Sequence, residues 1–116
     1  MPANYTHYKA LSEEKWDSFS LSIQMGNIGS DVSRALKWMD RDRERSMEFV
    51  ERALELTDLT VMSLYRKGRF SSMRELCRSR EVLCDFFYGD NEFLSTPENL
   101  MKYYDGFVIY YGGRGG

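Results

Sequence analysis

Residues 21–39 read "LSIQMGNIGSDVSRALKWM", and their spacing decides the fold class. Apolar side chains recur there at alternating intervals of four and three residues, at Leu21, Met25, Ile28, Val32, Ala35 and Met39. This spacing places them on one face of an α-helix that packs against another helix. The stretch therefore predicts a long amphipathic helix within a helical bundle.

A second stripe with the same spacing lies beside the apolar one and contains only small residues. Its members are Ser22, Gly26, Gly29 and Ser33. Each glycine costs a helix about 1 kcal/mol relative to alanine, so two of them need a reason. One explanation is that a ridge of small residues lets another backbone approach closely. The other explanation is that the glycines mark a kink or a frayed turn of the helix. We predict that these four residues form a close-contact surface, either within the fold or between subunits.

Three more helices are predicted further along the chain. A double apolar stripe indicates a helix over about 41–64, which should stop before Gly68. Ser72 and Glu75 have the spacing of a capping box and predict a third helix that runs to Tyr88. Thr96–Pro97 is typical of a helix start and opens the fourth. The competing strand pattern, "DGFVIYYGG", is weak.

The predicted helices have short connections, which favour antiparallel neighbours. We therefore expect an all-α fold, an antiparallel up-down-up-down four-helix bundle with an N-terminal tail. Residues 1–15 are the predicted tail, in which Ser12 could cap a short helix. Residues 16–111 form the single helical-bundle domain, and 112–116 form a flexible C-terminal end.

Composition bounds the kind of protein. The chain has 116 residues, which suits one domain with a modest core, so self-association would add useful burial. Aromatic residues make up 15%, and some of them should stay at the surface, where interfaces use them. A net charge of −2 gives no overall basic field. The sequence shows no signal peptide and no long apolar run, and its two cysteines could not pair on one helix. We therefore expect a cytoplasmic protein with no membrane partner.

Reactive groups are scarce. His7 is the only histidine, so a nucleophilic triad or a zinc site would have to recruit it from the tail. Asp85, Asp90 and Glu92 cluster near the end of the third helix and could hold Mg²⁺ or act as acid and base. They are equally typical of a solvated face followed by a turn. We predict no catalytic residue, no metal and no cofactor, with an enzyme built on these acids as the third hypothesis.

A basic stretch over 66–80 holds six cations against one acid. Tyr65 and Phe70 add rings on which bases could stack. The stretch could contact phosphates, or its cations could pair with acids inside the bundle. The candidate phosphate- or RNA-binding residues are Arg66, Lys67, Arg69, Arg74 and Arg78.

Three strings occur in order along the chain: "GNIGSDVSRAL", "ERALELTDLT" and "RELCRSREVLCDFFYGDN". In these strings the chain resembles a group of small uncharacterised bacterial proteins of similar length, over residues 16–107. None of the strings is a catalytic signature. The resemblance implies a helical, cytoplasmic bacterial protein and implies no activity.

Two better-known four-helix groups are similar in size. HEPN ribonucleases use an arginine followed closely by a histidine, and no arginine precedes His7 here. The accessory proteins of diversity-generating reverse transcriptases, and related proteins encoded by ribosomal RNA insertions, resemble the chain in length and predicted helices only. That similarity concerns the fold alone, and proteins that share a fold need not share a function.

The leading hypothesis is a non-enzymatic helical interaction or accessory protein, which associates with itself as a homo-oligomer or with another protein. The glycine ridge, the aromatic excess and the lack of a reactive constellation favour it. The alternative is an RNA- or nucleic-acid-binding accessory subunit, for example of a reverse transcriptase, that acts through the basic stretch.

Overall fold

A computed structural model describes residues 7, 8 and 10–112, with side chains described as far as Phe107. This part of the chain contains helices and no strand, so the all-α prediction is confirmed. There is one short helix and there are four long ones: α1 (Glu13–Asp17), α2 (Leu21–Trp38), α3 (Arg43–Arg66), α4 (Phe70–Phe87) and α5 (Pro97–Gly112). Residues 105–112 of the segment that could be read as a strand lie in α5. None of the helices within the described ranges combines the length and apolarity that crossing a bilayer requires.

Directly before most of the helices stands a polar residue whose side chain accepts a hydrogen bond from the backbone N–H three residues later. Such a cap satisfies one of the free N–H groups of the first turn. The capping residues are Ser12, Ser20, Asp42 and Thr96, with oxygen-to-nitrogen distances of 3.1, 3.2, 3.1 and 3.1 Å. The helix starts predicted at Ser12 and Thr96 are therefore confirmed.

The corner between α3 and α4 differs from the sequence prediction. Gly68 has a φ of 71°, in the left-handed region that favours glycine, and the Arg69 N–H donates to the Leu64 carbonyl at 2.9 Å. This tight end of α3 lets α4 begin at Phe70, behind Arg69, without a side-chain cap. The capping box predicted at Ser72 is therefore wrong, because Ser72 already lies inside the first turn.

Helices α2 and α3 form the most extensive helix pair of the fold. Helix α2 also packs against α5, while α4 and the short α1 pack against α3. The apolar stripe faces this core: Leu21, Met25, Ile28, Val32 and Ala35 are buried, and Met39 is partly exposed. The placement of α5 along α2 creates the site described next.

Candidate functional site

An open groove of about 640 Å³ runs between α2 and α5. Buried residues form its floor, and exposed polar residues form its rim. Its lining comes from Gly26, Gly29, Ser30, Ser33 and Arg34 of α2 and from Met101, Tyr104 and Asp105 of α5. We call it the α2–α5 groove.

The two glycines of α2 have different surroundings in this groove. A Cβ atom placed on Gly29 would lie 3.5 Å from the Cβ of Tyr104, so the backbone of α2 touches α5 there. A Cβ atom placed on Gly26 would have no atom within 4 Å outside its own helical turn. The helix is continuous through both positions, so neither glycine marks a frayed turn.

The small residues predicted as one close-contact surface are therefore divided in the structure. Three of them line the groove, but Gly29 is buried beneath α5, whereas Gly26 is partly exposed and Ser33 is exposed. Ser22 is partly exposed and is not among the lining residues. The division places one glycine under α5 and leaves the other facing outwards.

Tyr104 forms the floor of the groove and is 1% exposed. Its hydroxyl has no hydrogen-bond partner among the described residues. Burial raises the pKa of Tyr104 to about 12, so the ring is neutral at physiological pH. The Ser79 side chain of α4 lies close enough to lower the pKa of this hydroxyl, although no hydrogen bond of good geometry joins them, and Ser79 donates to the backbone oxygen of Leu76.

A buried carboxylate lies next to the groove and was missed by the sequence analysis. The Asp31 side chain is 2% exposed and accepts a hydrogen bond of 2.7 Å from the hydroxyl of Tyr8. Arg52 of α3 donates to the same carboxylate at 3.3 Å, and Arg34 donates at 3.4 Å. Because Arg34 also lines the groove, this cluster fixes one side of its rim.

Acidic side chains of α3 hold His7 and Tyr8 of the predicted tail. The backbone N–H groups of His7 and Tyr8 donate to the Glu55 carboxylate at 2.9 and 3.2 Å. The His7 Nε2 lies 3.1 Å from the Glu51 carboxylate. Burial and the hydrogen bond to Asp31 raise the pKa of Tyr8 to about 12. Positions 7 and 8 therefore lie against α3, while 1–6 fall outside the described residues.

Two cations at the ends of the basic stretch are paired inside the molecule. Arg66 donates to both carboxylate oxygens of Asp17 at 2.8 Å and lies 3.6 Å from Glu13. This bidentate contact lowers the pKa of Asp17. Arg80 pairs with Asp58 at 2.9 Å, and the hydrogen bond raises the pKa of the guanidinium. Of the candidate RNA-binding residues, Arg66 is thus engaged within the fold.

Three of the other predicted cations point outwards. Lys67, Arg74 and Arg78 are exposed and belong to no ion pair among the described residues, whereas Arg69 is partly buried. Tyr65 and Phe70 are also exposed, and their rings meet edge to face with centroids 5.8 Å apart. Phe70, Arg74 and Arg78 follow one another at intervals of four on α4 and share one face of the helix.

The acidic cluster organises a loop. The Asp85 carboxylate accepts hydrogen bonds from the backbone N–H groups of Glu92 and Phe93, at 2.8 and 3.0 Å. Asp90 and Glu92 are exposed to solvent. Within the described ranges, no group of histidine, cysteine and acidic side chains is placed to hold a metal ion.

Comparison with models of known protein families, with curated proteins and with solved structures finds no match for this chain. Two surfaces of the described residues are open to a partner, the α2–α5 groove and the exposed face of α4.

Proposed function

We propose that this chain is a non-enzymatic helical interaction or accessory protein that self-associates through the α2–α5 groove. The observation that carries the proposal is the open space over Gly26, where the backbone of α2 lies at the surface. A helix surface without a side chain lets a partner reach the backbone and make many close contacts.

The stability cost of Gly26 supports the same conclusion. A glycine in the interior of a helix is about 1 kcal/mol less favourable than alanine. The fold itself explains Gly29, because a side chain there would contact Tyr104. It does not explain Gly26, because a Cβ placed there would meet no atom of the fold within 4 Å. A reason for this glycine is therefore best sought in a contact with another molecule.

We also propose that α2 to α5 form the up-down-up-down four-helix bundle. Contacts between distant residues support antiparallel neighbours: Gln24 with Ser63, Ala35 with Ser46, Asp58 with Arg80, Tyr65 with Phe70, and Glu75 with Tyr103. We further propose that the chain belongs to the group of small bacterial proteins that its sequence resembles. We propose a cytoplasmic location as well. The free thiols of Cys77 and Cys84 support a reducing compartment.

Replacement of Gly26 by glutamate tests the groove directly. We expect Gly26→Glu to abolish self-association, because the new charged side chain occupies the space that a partner would enter. The monomer should melt at the same temperature or slightly higher, since glutamate is a better helix former than glycine. Sedimentation velocity over a range of concentrations, together with thermal unfolding, measures both effects.

Asn27→Glu is the matched control for this variant. Asn27 is exposed, is absent from the groove lining and receives the same change of charge. It should associate like the unaltered chain. Equal masses for the unaltered chain and Gly26→Glu at every concentration would contradict the proposal.

The exposed face of α4 favours a second candidate function, the binding of single-stranded RNA. Its support is the exposed Tyr65–Phe70 pair beside Lys67, Arg74 and Arg78. Aromatic rings stack on bases, while lysine and arginine neutralise phosphates. Arg66 is excluded from the surface proposed here, since Asp17 and Glu13 hold it within the fold.

A double charge reversal tests this surface. We expect the pair Arg74→Glu and Arg78→Glu to weaken binding of a labelled single-stranded RNA about tenfold or more. The pair Arg41→Glu and Arg43→Glu changes the net charge equally at exposed positions elsewhere and should have little effect. Fluorescence anisotropy measures the affinity, which should fall linearly with salt on logarithmic axes. Absence of binding by the unaltered chain at about 50 mM salt would contradict this function.

A further inference from the structure

The loop 88–96 between α4 and α5 presents apolar side chains to solvent. Leu94 is 80% exposed, and its neighbour Phe93 is 51% exposed. Adjacent apolar side chains this open need a reason beyond the folding of a single chain, since exposure gives them no hydrophobic stabilisation. We call this segment the Phe93–Leu94 loop.

Side-chain hydrogen bonds hold the Phe93–Leu94 loop in one conformation. Asp85 accepts from the backbone of Glu92 and Phe93 on one side. On the other side the amide of Asn91 bonds both the N–H and the carbonyl of Ser95, at 2.8 and 2.9 Å. A segment fixed in this way loses little further conformational freedom when it binds.

The backbone of the loop is strained at Leu94. Its φ of 54° lies in the left-handed region, which is unfavourable by about 1–2 kcal/mol for residues other than glycine. Glycine or asparagine would adopt this conformation more readily. The fold therefore tolerates a leucine at a position that suits glycine, and the leucine side chain has little contact with the fold.

The α2 side of the groove rim carries a charge opposite to the charges of this loop. The groove is open to solvent and has a volume of about 640 Å³. Asp90 and Glu92 flank the apolar tip with exposed carboxylates, and Arg34 places an exposed guanidinium on the rim of the groove. Asp105 lies on the α5 side, so the acidic flank of the loop fits best against Arg34.

We propose that the Phe93–Leu94 loop inserts into the α2–α5 groove of a second copy of this chain. The proposal rests on the proposed self-association and names the surface that enters the groove. The loop does not fill the groove of its own chain, because Leu94 is exposed and neither apolar residue is among the lining residues. Buried apolar anchors that fill a pocket are the usual centres of binding energy at interfaces.

Leu94→Gly separates the role of the side chain from the stability of the fold. Glycine suits the φ of this position, so the melting temperature of the monomer should stay the same or rise. Self-association should weaken about tenfold or more, because the apolar anchor is lost. Leu94→Met is the matched control, since it keeps an apolar side chain, and it should associate within a few-fold of the unaltered chain.

A mixing experiment then decides whether loop and groove meet each other. Leu94→Gly retains an intact groove, and Gly26→Glu retains an intact loop. Each variant alone should be largely monomeric, while an equimolar mixture should form a one-to-one complex in sedimentation velocity. This pattern requires two different surfaces that fit together.

The outcomes separate this inference from the proposed function. If Gly26→Glu is monomeric but Leu94→Gly associates normally, the groove binds something other than the loop, and only this inference is overturned. If both variants are monomeric and their mixture stays monomeric, loop and groove do not meet, and the inference is again overturned. If the unaltered chain is monomeric at every concentration, both the inference and the proposed function fail.

Discussion

Replacing Tyr104 by alanine is expected to lower the free energy of unfolding by about 3–5 kcal/mol, as for other large buried aromatic residues. Tyr104 is 1% exposed, and its Cβ touches the position of Gly29 on α2. Its ring also meets that of Tyr103 edge to face, with centroids 5.8 Å apart. The substitution removes a buried side chain of α5 that contacts α2 and leaves a cavity under the groove. Urea unfolding followed by circular dichroism measures the change.

Tyr104→Phe is the matched control because it keeps the ring and removes only the hydroxyl. That hydroxyl is buried without a hydrogen-bond partner among the described residues, so its loss should be neutral or stabilise the fold by up to about 1 kcal/mol. A large destabilisation by phenylalanine would show that the hydroxyl is bonded after all. A cost below about 1 kcal/mol for alanine would show that Tyr104 does not hold α5 in place.

Replacing Asp31 by alanine should destabilise the fold by about 1.5–3 kcal/mol, the range for hydrogen bonds to a charged group. The Asp31 carboxylate is the shared acceptor for Tyr8, Arg34 and Arg52, and its removal leaves their donors without it. The described part of the N-terminal segment should loosen as well, because Tyr8 loses the hydrogen bond that ties it to α2. Urea unfolding gives the stability, and amide hydrogen exchange at His7 and Tyr8 reports the loosening.

Arg34→Ala tests whether the effect belongs to the buried carboxylate or to any charge in the cluster. The Arg34 side chain is 54% exposed, and its contact with Asp31 is long at 3.4 Å. Because solvent screens this exposed guanidinium, the contact should contribute less than about 1 kcal/mol, and the variant should remain nearly as stable as the unaltered chain. Similar losses for Arg34→Ala and Asp31→Ala would argue against a special role of the carboxylate.

The positions of the long helices could be predicted because their apolar spacing is local information. The stripe from Leu21 to Ala35 is buried as its spacing indicates, and the Thr96–Pro97 signal marks the start of α5. The start of α4 could not be predicted from the Ser72 capping box. The turn that sets it depends on a hydrogen bond from Arg69 back to Leu64, and this bond depends on how α3 ends.

The candidate site was only partly accessible from the sequence. Asp31 lies three residues after Ile28 and four before Ala35, so the helical spacing already places it on the buried face. Its partners Tyr8 and Arg52 are distant in the chain, and no local pattern predicts that they meet. The same limit separates Gly26 from Gly29, since only the path of α5 across α2 decides which glycine is covered.

Helix α5 packs less extensively against α2 than α3 does, so these helices should separate in a defined order. Helix α5 lies along α2, and a hydrogen bond of 2.7 Å from Tyr103 to Glu75 connects it to α4. Helices α2 and α3 pack against each other more extensively than α2 and α5 do, and α4 packs against α3. Partial opening of a native protein begins where the fewest packed contacts must be broken. Thermal fluctuations should therefore detach α5 from α2 before they separate α2 from α3, and any partner seated between α2 and α5 would hold these two helices together.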